Sequence, residues 1–285
     1  MQHSRMEGDL RDRKSDIRQP ARPASAVPAP PESSAKDKEF MLTLAKRLAV
    51  LNSFGRDRPA MTLSQVAQTV DLSRATARRV LHTLVELGYV EQNNRQFALS
   101  PRIMRLGFAY ISSQSWIDRA APLMKSLSER FHESCSAAIL EGTEIIYVVR
   151  MPARRIMSAA LAVGSRLPAF HSSMGRIQLG FLDEAEIWRR LKAVRIEPLT
   201  PATITDLQAL YERIRDDHRQ GFSIVDEELE RGLRSIAVPI ADRDGQCVGA
   251  INLSTHSTRT TRNALRDTFL PELKAVSAQV SALVF

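Results

Sequence analysis

Five polar side chains, Ser73, Arg74, Thr76, Arg78 and Arg79, fall within seven consecutive positions. A guanidinium forks onto guanine O6/N7 or onto a phosphate, and a Ser or Thr hydroxyl reaches either. Such a group is equipped to recognise a polyanion. Thr62 before it adds a hydroxyl and Arg95 after it a further cation. A second set suits a small acid. Ser172 and Ser173 precede a helical stretch, Ser235 interrupts an apolar strand, and Asn252 and Ser254 stand two apart in another, so they share a face. These are the few convergent polar groups that an otherwise apolar ligand pocket needs. The backbone of Ser173-Met174-Gly175 opening a helix offers N–H donors to a carboxylate. Asp226 and Glu228 mark an acidic loop that belongs to this site or is simply solvated. Arg150, Arg154 and Arg155 suit an anionic ligand and suit a strand end in water equally well.

Catalytic patterns are missing. There is no Gly-x-Ser-x-Gly elbow, Walker loop, dinucleotide fingerprint or His-x-x-x-His spacing. His171 beside Ser172 and Ser173 has no accompanying oxyanion donors, so it makes a poor base–nucleophile pair. Cys135 in an apolar strand reads as an inert thiol, and Asp226-Glu227-Glu228 is weak as a metal site. No catalytic residue, metal or cofactor is expected.

The charge agrees with a split between the two sets. The net charge is +8, and the first 115 residues carry +7 of it, with eighteen basic against eleven acidic groups. A basic front on a nearly neutral body points to a polyanion partner for the front alone. At 285 residues, 44% hydrophobic and 25% charged, the chain has room for two packed domains. Two distant cysteines exclude a disulfide scaffold and fit a reducing compartment. No run of ~18 apolar residues exists to cross a membrane, and the basic N-terminus lacks the apolar stretch of a secretory signal. Residues 1–36 are expected to form an extended tail, because five of the fourteen prolines fall between Pro20 and Pro31.

The polyanion-binding group must be held by helices. Phe40, Leu44, Leu48, Leu51 and Phe54 recur every three or four residues, which predicts a helix from about Asp37 to Phe54 with one apolar face. Thr62 with Gln65 three residues on is a capping box for a second helix. Ser73 caps a third, whose Ala77, Val80, Leu81, Leu84 and Leu87 lie on one side and drive Arg78, Arg79 and His82 to the other, with Arg74 and Thr76 flanking. Gly88 closes it, and Tyr89–Glu91 and Gln96–Leu99 flank an Asn-rich turn as a hairpin. Helix, helix, turn, helix, hairpin is a winged helix-turn-helix order, with the third helix reading base edges and Arg95 on the wing. The same arginines would also suit a solvated face paired with Glu86 or Asp71; the motif order and the charge asymmetry weigh against that.

Pro101 to about Ser115 predicts a connecting helix, suited to contact with a second subunit or with its own domain. From Trp116 onward, helix is expected at Ala120–Phe131, Met174–Leu182, Asp183–Ala193 and Ile204–Gln220, with a last helix at Thr261–Val284 interrupted at Pro271. Strands are expected at Ser136–Leu140, Glu144–Arg150, Ile156–Val163, Phe222–Asp226, Leu233–Ile240 and Cys247–Ser254. The fold class is α+β, a largely antiparallel sheet with helices on it. The expected boundaries are tail 1–36, head 37–100, linker 101–115 and rear domain 116–285.

Several ordered motifs resemble the IclR family of bacterial transcriptional regulators. They include Thr62-Leu63-Ser64-Gln65-Val66-Ala67, the run Ser73 to Leu84, Gly164-Ser165-Arg166-Leu167-Pro168, Ser173-Met174-Gly175-Arg176, Gly232 to Pro239, and Gly249 to Ser254. The likeness covers residues 38–285. Within the family, Arg154 to Ser158 and Ser172 to Arg176 look most like regulators of protocatechuate, 4-hydroxybenzoate and β-ketoadipate catabolism. The resemblance implies a GAF-like effector-binding domain, with Ser173, Met174, Leu233, Ser235, Asn252 and Ser254 at positions that small-acid binders use. It implies a ligand-responsive regulator that binds operator DNA as a homodimer or homotetramer, in the bacterial cytoplasm and on the nucleoid when bound, with an aromatic or small organic acid as effector. Two rival readings are a sensor module acting through a protein partner, and a metabolic enzyme with a basic accessory head.

Overall fold

The computed structural model describes residues 41–55, 57–153, 161–282 and 284. The expected tail, Phe40, Arg154, Arg155 and the first part of the Ile156–Val163 strand lie outside them. The chain divides after Leu106 into two compact units, and the division falls within the segment expected as a linker.

In the first unit α1 runs Leu42–Asn52, β1 Ala60–Thr62, α2 Leu63–Thr69, α3 Arg74–Glu86, β2 Val90–Asn93 and β3 Gln96–Leu99. The predicted caps form. Thr62 and Gln65 make the reciprocal capping box, and the Ser73 hydroxyl accepts from the Thr76 N–H. Asp71 takes the left-handed conformation between α2 and α3, with φ 49°. At the end of α3 the Tyr89 N–H reaches the Leu84 carbonyl and the Gly88 N–H the Val85 carbonyl, a Schellman closure with Gly88 at φ 75°. β2 and β3 form the expected hairpin, with Asn94 left-handed in its turn. The short β1 adds to β3 to make a three-stranded antiparallel sheet. Val50, Phe54, Met61, Val66, Val80, Leu81 and Val90 form the core.

Two expectations about that core need correction. Leu44 and Leu48 are about half exposed, at 50% and 51%. Only the C-terminal end of α1 docks, through Ala49 and Val50, so the apolar stripe continues past the core it serves. Leu87 is also half exposed, because the helix ends one residue before it and the Schellman turn swings it outward.

The predicted linker helix is a 3-10 turn at Pro101–Ile103 followed by α4, Met104–Ser113. The second unit then holds α5 Ser115–Phe131, β4 Ser134–Glu141, β5 Glu144–Met151 and β6 Arg166–Pro168. Next come α6 Ser173–Leu179, α7 Glu184–Lys192, α8 Leu207–Gln220, β7 Ser223–Asp226, β8 Leu233–Ala241, β9 Cys247–His256, α9 Arg262–Ala264 and α10 Leu270–Ser281. The six strands pair antiparallel throughout, in the order β6-β5-β4-β9-β8-β7. Leu161–Val163 is not strand; the sheet continues instead through β6, beyond the Gly164 turn. The break in the last helix is a π turn at Leu265–Phe269, just ahead of Pro271. Proline has no N–H to give and its ring crowds the carbonyl four residues back, which a widened turn relieves.

One sheet face packs on α5 and α10, through Trp116, Met124, Val149, Ile236, Val238, Ile251, Leu253 and Leu273. The other packs under α6, with α8 and α7 behind it, through Ala138, Ile145, Tyr147, Phe170, Met174, Ile177, Ala237, Ala250, Leu210 and Ile214. α6 lies very close to the turn before it. A Cβ at Gly175 would stand 2.4 Å from both the Cα and the carbonyl oxygen of Ala169. Gly175→Ala should therefore cost about 2 kcal/mol or more by overpacking, lowering the melting temperature by at least about 4 °C. Scanning calorimetry checks this; an unchanged melting temperature would show that the turn and α6 yield freely.

Candidate nucleic-acid interface and effector site

α3 is amphipathic in the required sense. Ala77, Val80 and Leu81 are buried against the core, while Arg74, Arg78, Arg79 and His82 are exposed. None of these four side chains has a hydrogen bond or ion pair among the described residues, so the alternative pairing with Glu86 or Asp71 does not form. Ser73 and Thr76 are tied to each other, Oγ to Oγ1 at 2.9 Å, across the first turn. The Thr62 hydroxyl is engaged in the cap with Gln65, at 3.0 Å from Gln65 Oε1. Arg95 stands exposed next to left-handed Asn94 at the hairpin tip. The face thus offers guanidinium groups with no internal partner, which leaves their donors for phosphates and base edges.

In the second unit the α6-facing side of the sheet carries a polar patch in an apolar surround. Residues directly opposite in antiparallel strands share a face. Arg150 of β5 lies opposite Ser136 of β4, which lies opposite Asn252 of β9. Two residues along, Ser134 lies opposite Ser254, and Ser254 opposite Ser235 of β8. The Ser235 hydroxyl meets the Ser173 hydroxyl of α6 at 2.9 Å, and Asn252 Nδ2 donates to Ser254 Oγ at 3.0 Å. Leu233 shares this face, two positions from Ser235, and Met174 packs over it from α6. The predicted residues Ser173, Met174, Leu233, Ser235, Asn252 and Ser254 are therefore brought together. Ser136 and Arg150 join them, with Arg150 Nη1 donating to Ser136 Oγ at 3.2 Å.

Other predicted residues serve different ends. Ser172 caps α6, accepting from the Gly175 N–H at 3.1 Å, so that N–H is not open to a ligand. Asp226 sits in register with Arg234, on the opposite sheet face from Ser235, and is held by it at 2.6 and 3.0 Å. Glu228 binds Arg176, a residue that sequence reasoning missed. Arg176 is fully buried; it donates to the Phe170 carbonyl at 3.2 and 3.0 Å and to Glu228 Oε1 at 3.1 Å, with Asp217 Oδ2 at 3.8 Å. A signal existed: Leu210, Ile214 and Asp217 fall on one face of α8, and an acid on an apolar face calls for a buried partner. Burial pushes the Asp217 carboxyl up to about 6, against the pull of Arg176. Burial, with Arg176 adding to it, holds His171 down at about 4. His171 Nδ1 has no partner, so it is not paired with Ser172 or Ser173 as a catalytic base would be. Cys135 is buried and its thiol pushed up by desolvation. Among the described residues no cluster of three His, Cys, Asp or Glu side chains is placed to hold a metal ion, and no helix is long and apolar enough to cross a membrane.

Residues 43–94 match the model of the IclR helix-turn-helix domain, and residues 108–282 match that of the bacterial transcriptional regulator IclR C-terminal domain. The chain belongs to the IclR family. It is a transcriptional regulator with a DNA-binding head and an effector-binding α+β domain. This IclR-family protein is 41% identical over 277 residues to the Pca regulon regulatory protein of Pseudomonas putida, covering 94% of this chain and 95% of that one. It is 31% identical to the p-hydroxybenzoate hydroxylase transcriptional activator of Acinetobacter baylyi, over 90% of this chain and 97% of the other. Among solved structures, a transcriptional regulator of Rhodococcus sp. RHA1 superposes with TM-score 0.74 at 41% identity, covering 86% of this chain and 98% of that one. An IclR homologue from Microbacterium hydrocarbonoxydans, solved with 4-hydroxybenzoate, shares the fold at TM-score 0.71 and 24% identity, over 84% and 98% of the two chains.

Two predictions follow from the geometry of these sites. Arg78→Ala should weaken retardation of the operator fragment by about 1–3 kcal/mol, roughly 5- to 150-fold, with the melting temperature nearly unchanged, because the exposed side chain makes no hydrogen bond or ion pair among the described residues. Equal affinity at fixed salt would contradict this. The second concerns pH. Asp217, raised when folded, contributes stability that is present below its unfolded pKa near 4 and is lost as pH rises through about 6. His171, lowered when folded, contributes stability that is present above ~6.5 and is lost as pH falls through about 4. The two slopes oppose each other between these values. Asp217→Asn removes the descending one, so the variant's stability should rise more steeply from pH 4 to 6 than the wild type's in urea titrations. Parallel profiles would show that Asp217, faced by Arg176, Arg213, Ser223 and Glu228, does not titrate there.

Proposed function

We propose that this regulator controls the catabolism of an aromatic or small organic acid, and that the acid binds between α6 and the polar patch of the sheet. The observation that carries this reading is the patch itself: Ser173, Ser235, Asn252 and Ser254 converge on an otherwise apolar face. Likeness across 94% of the chain to a regulator named for a pca regulon, and to an activator named for p-hydroxybenzoate hydroxylase, supports an aromatic acid. The related structure that holds 4-hydroxybenzoate supports the same class. The effector acts by its differential affinity for two arrangements of the linked heads. Thr62, Ser73, Arg74, Thr76, Arg78 and Arg79 meet the operator, and Arg95 reaches it from the wing. The protein works as a homodimer or homotetramer in the cytoplasm and catalyses no reaction. Exposed Leu42, Leu44 and Leu48 on α1, and Met104, Leu106 and Phe108 on α4, support association of copies.

A thermal-shift screen of aromatic and dicarboxylic acids tests the reading. At a hundred times its Kd the effector should add about 2.7 kcal/mol to stability, raising the melting temperature by roughly 5–10 °C. Ser235→Leu should remove that shift and keep operator binding. A screen in which no acid raises the melting temperature would overturn the proposed effector class.

A further inference from the structure

Ser100 is 6% exposed although it stands between the wing and the linker, where its neighbours Pro101 and Arg102 face solvent. Its backbone N–H donates to the Tyr89 carbonyl at 3.0 Å, and its hydroxyl donates to the Gly88 carbonyl. The same hydroxyl oxygen accepts the Arg102 N–H at 3.2 Å and so caps the 3-10 turn at Pro101–Ile103. Gly88 and Tyr89 are the residues whose N–H groups close α3. One buried serine therefore fastens the first turn of the linker to the closing turn of the recognition helix. Arg102 adds a second tie. Its guanidinium lies 5.6 Å above the Tyr89 ring, and its side chain covers Gly88 so closely that a Cβ there would stand 3.1 Å from Nη1. The compact unit of the head accordingly runs past the end of β3 to Leu106, into α4. β3 carries the chain about 13 Å from the wing turn to Ser100, so this fastening sits at the end of the hairpin away from Arg95.

We propose that Ser100 and Arg102 are positioning residues for operator recognition, a latch that makes the first turn of the linker and the recognition helix one rigid piece. The proposal rests on the reading that the heads meet the operator as members of a homo-oligomer. A head held at a fixed angle to its linker docks on its part of the operator without further ordering. A head that swivels at Ser100 pays that ordering cost on docking. Sequence-independent phosphate contacts tolerate many poses of the head and escape the cost. The latch therefore contributes to the ratio between operator affinity and affinity for unrelated DNA, and touches neither.

The test is gel retardation of the full-length protein on the operator fragment and on an unrelated fragment of equal length, with light scattering for the oligomeric state. Ser100→Ala should lower the ratio of the two affinities by about tenfold, as expected for a buried carbonyl left unpaired, and keep the affinity for the unrelated fragment. Ser100→Thr, which retains the hydroxyl, should restore most of the ratio. Arg102→Ala should lower the ratio too and leave the salt slope of operator binding unchanged; a slope shallower by about one would make Arg102 a phosphate contact and remove it from the latch. An unchanged ratio in Ser100→Ala overturns the proposal, and so do affinities for both fragments that fall together, as damage to the fold would make them. Hydrogen exchange of the wild type needs no variant to fold. The amides of Ser100, Arg102 and Ile103 should be protected alongside those of Gly88 and Tyr89. Exchange of the first three at open-chain rates, with α3 still protected, would also overturn it. A protein that is monomeric on the operator overturns the paired-head reading and the latch with it, whereas an oligomer with an unchanged ratio overturns the latch alone.

Discussion

The burial of one side of α3 is the constraint on which the head depends. Ala77, Val80 and Leu81 have no exposed alternative once the helix docks on Val50, Met61 and Val66. Rotating the helix to hide Arg78 and Arg79 would bring apolar side chains into water, at about 1.5–3 kcal/mol for each large one. The arginines therefore face outward by default, and no acid among the described residues of the head pairs with them. Caps and turns fix the helix along its axis as packing fixes it around that axis, through Ser73 at one end and the Gly88 closure at the other. Exposed cations without internal partners contribute little to stability. They remain available to a polyanion.

The rear domain meets a different constraint. Its sheet is covered on both faces, yet the α6-facing side keeps Ser136, Ser235 and Asn252 within the buried set. Buried polar atoms are tolerated when paired, and most here are: Ser173 with Ser235, Asn252 with Ser254, Ser223 with Asp217. Arg176 joins α6 to α8 and to the loop after β7 through Asp217 and Glu228. That network ties the helix over the polar patch to the elements behind it. The close approach of Gly175 to Ala169 fixes the turn that precedes the helix.

Much of this was legible in the sequence where the governing rule is local. Capping at Thr62 and Ser73, the left-handed Gly88, and the hairpin around Asn94 are short-range preferences of particular residue types, and each formed as read. Periodicity found the apolar faces of α1 and α3 and overran both, because a stripe does not say how much of it meets a partner. Leu44, Leu48 and Leu87 are the result. The three-residue strands β1 and β6 carry too few residues to show alternation. Pairings distant in sequence were the least accessible. Asp226 was left open between the site and solvent until its register with Arg234 was known, and the partners of Arg176, Glu228 and Asp217, lie 52 and 41 positions away in the chain, beyond any local rule. Arg150 was left evenly balanced between ligand and solvent by the sequence; its register opposite Ser136 puts it on the α6-facing side of the sheet, two strands from Asn252.

The claim that outward guanidinium groups on α3 and the wing engage a duplex is tested most directly by the salt dependence of operator affinity. Each phosphate neutralised by an arginine releases condensed counterions, so log K should fall linearly with log salt at a slope of about −0.9 per contact. The account predicts a steep line for the wild-type protein, and a slope shallower by about one when Arg79 is replaced by Ala. An affinity that barely changes with salt, or a slope indifferent to Arg79, would contradict it.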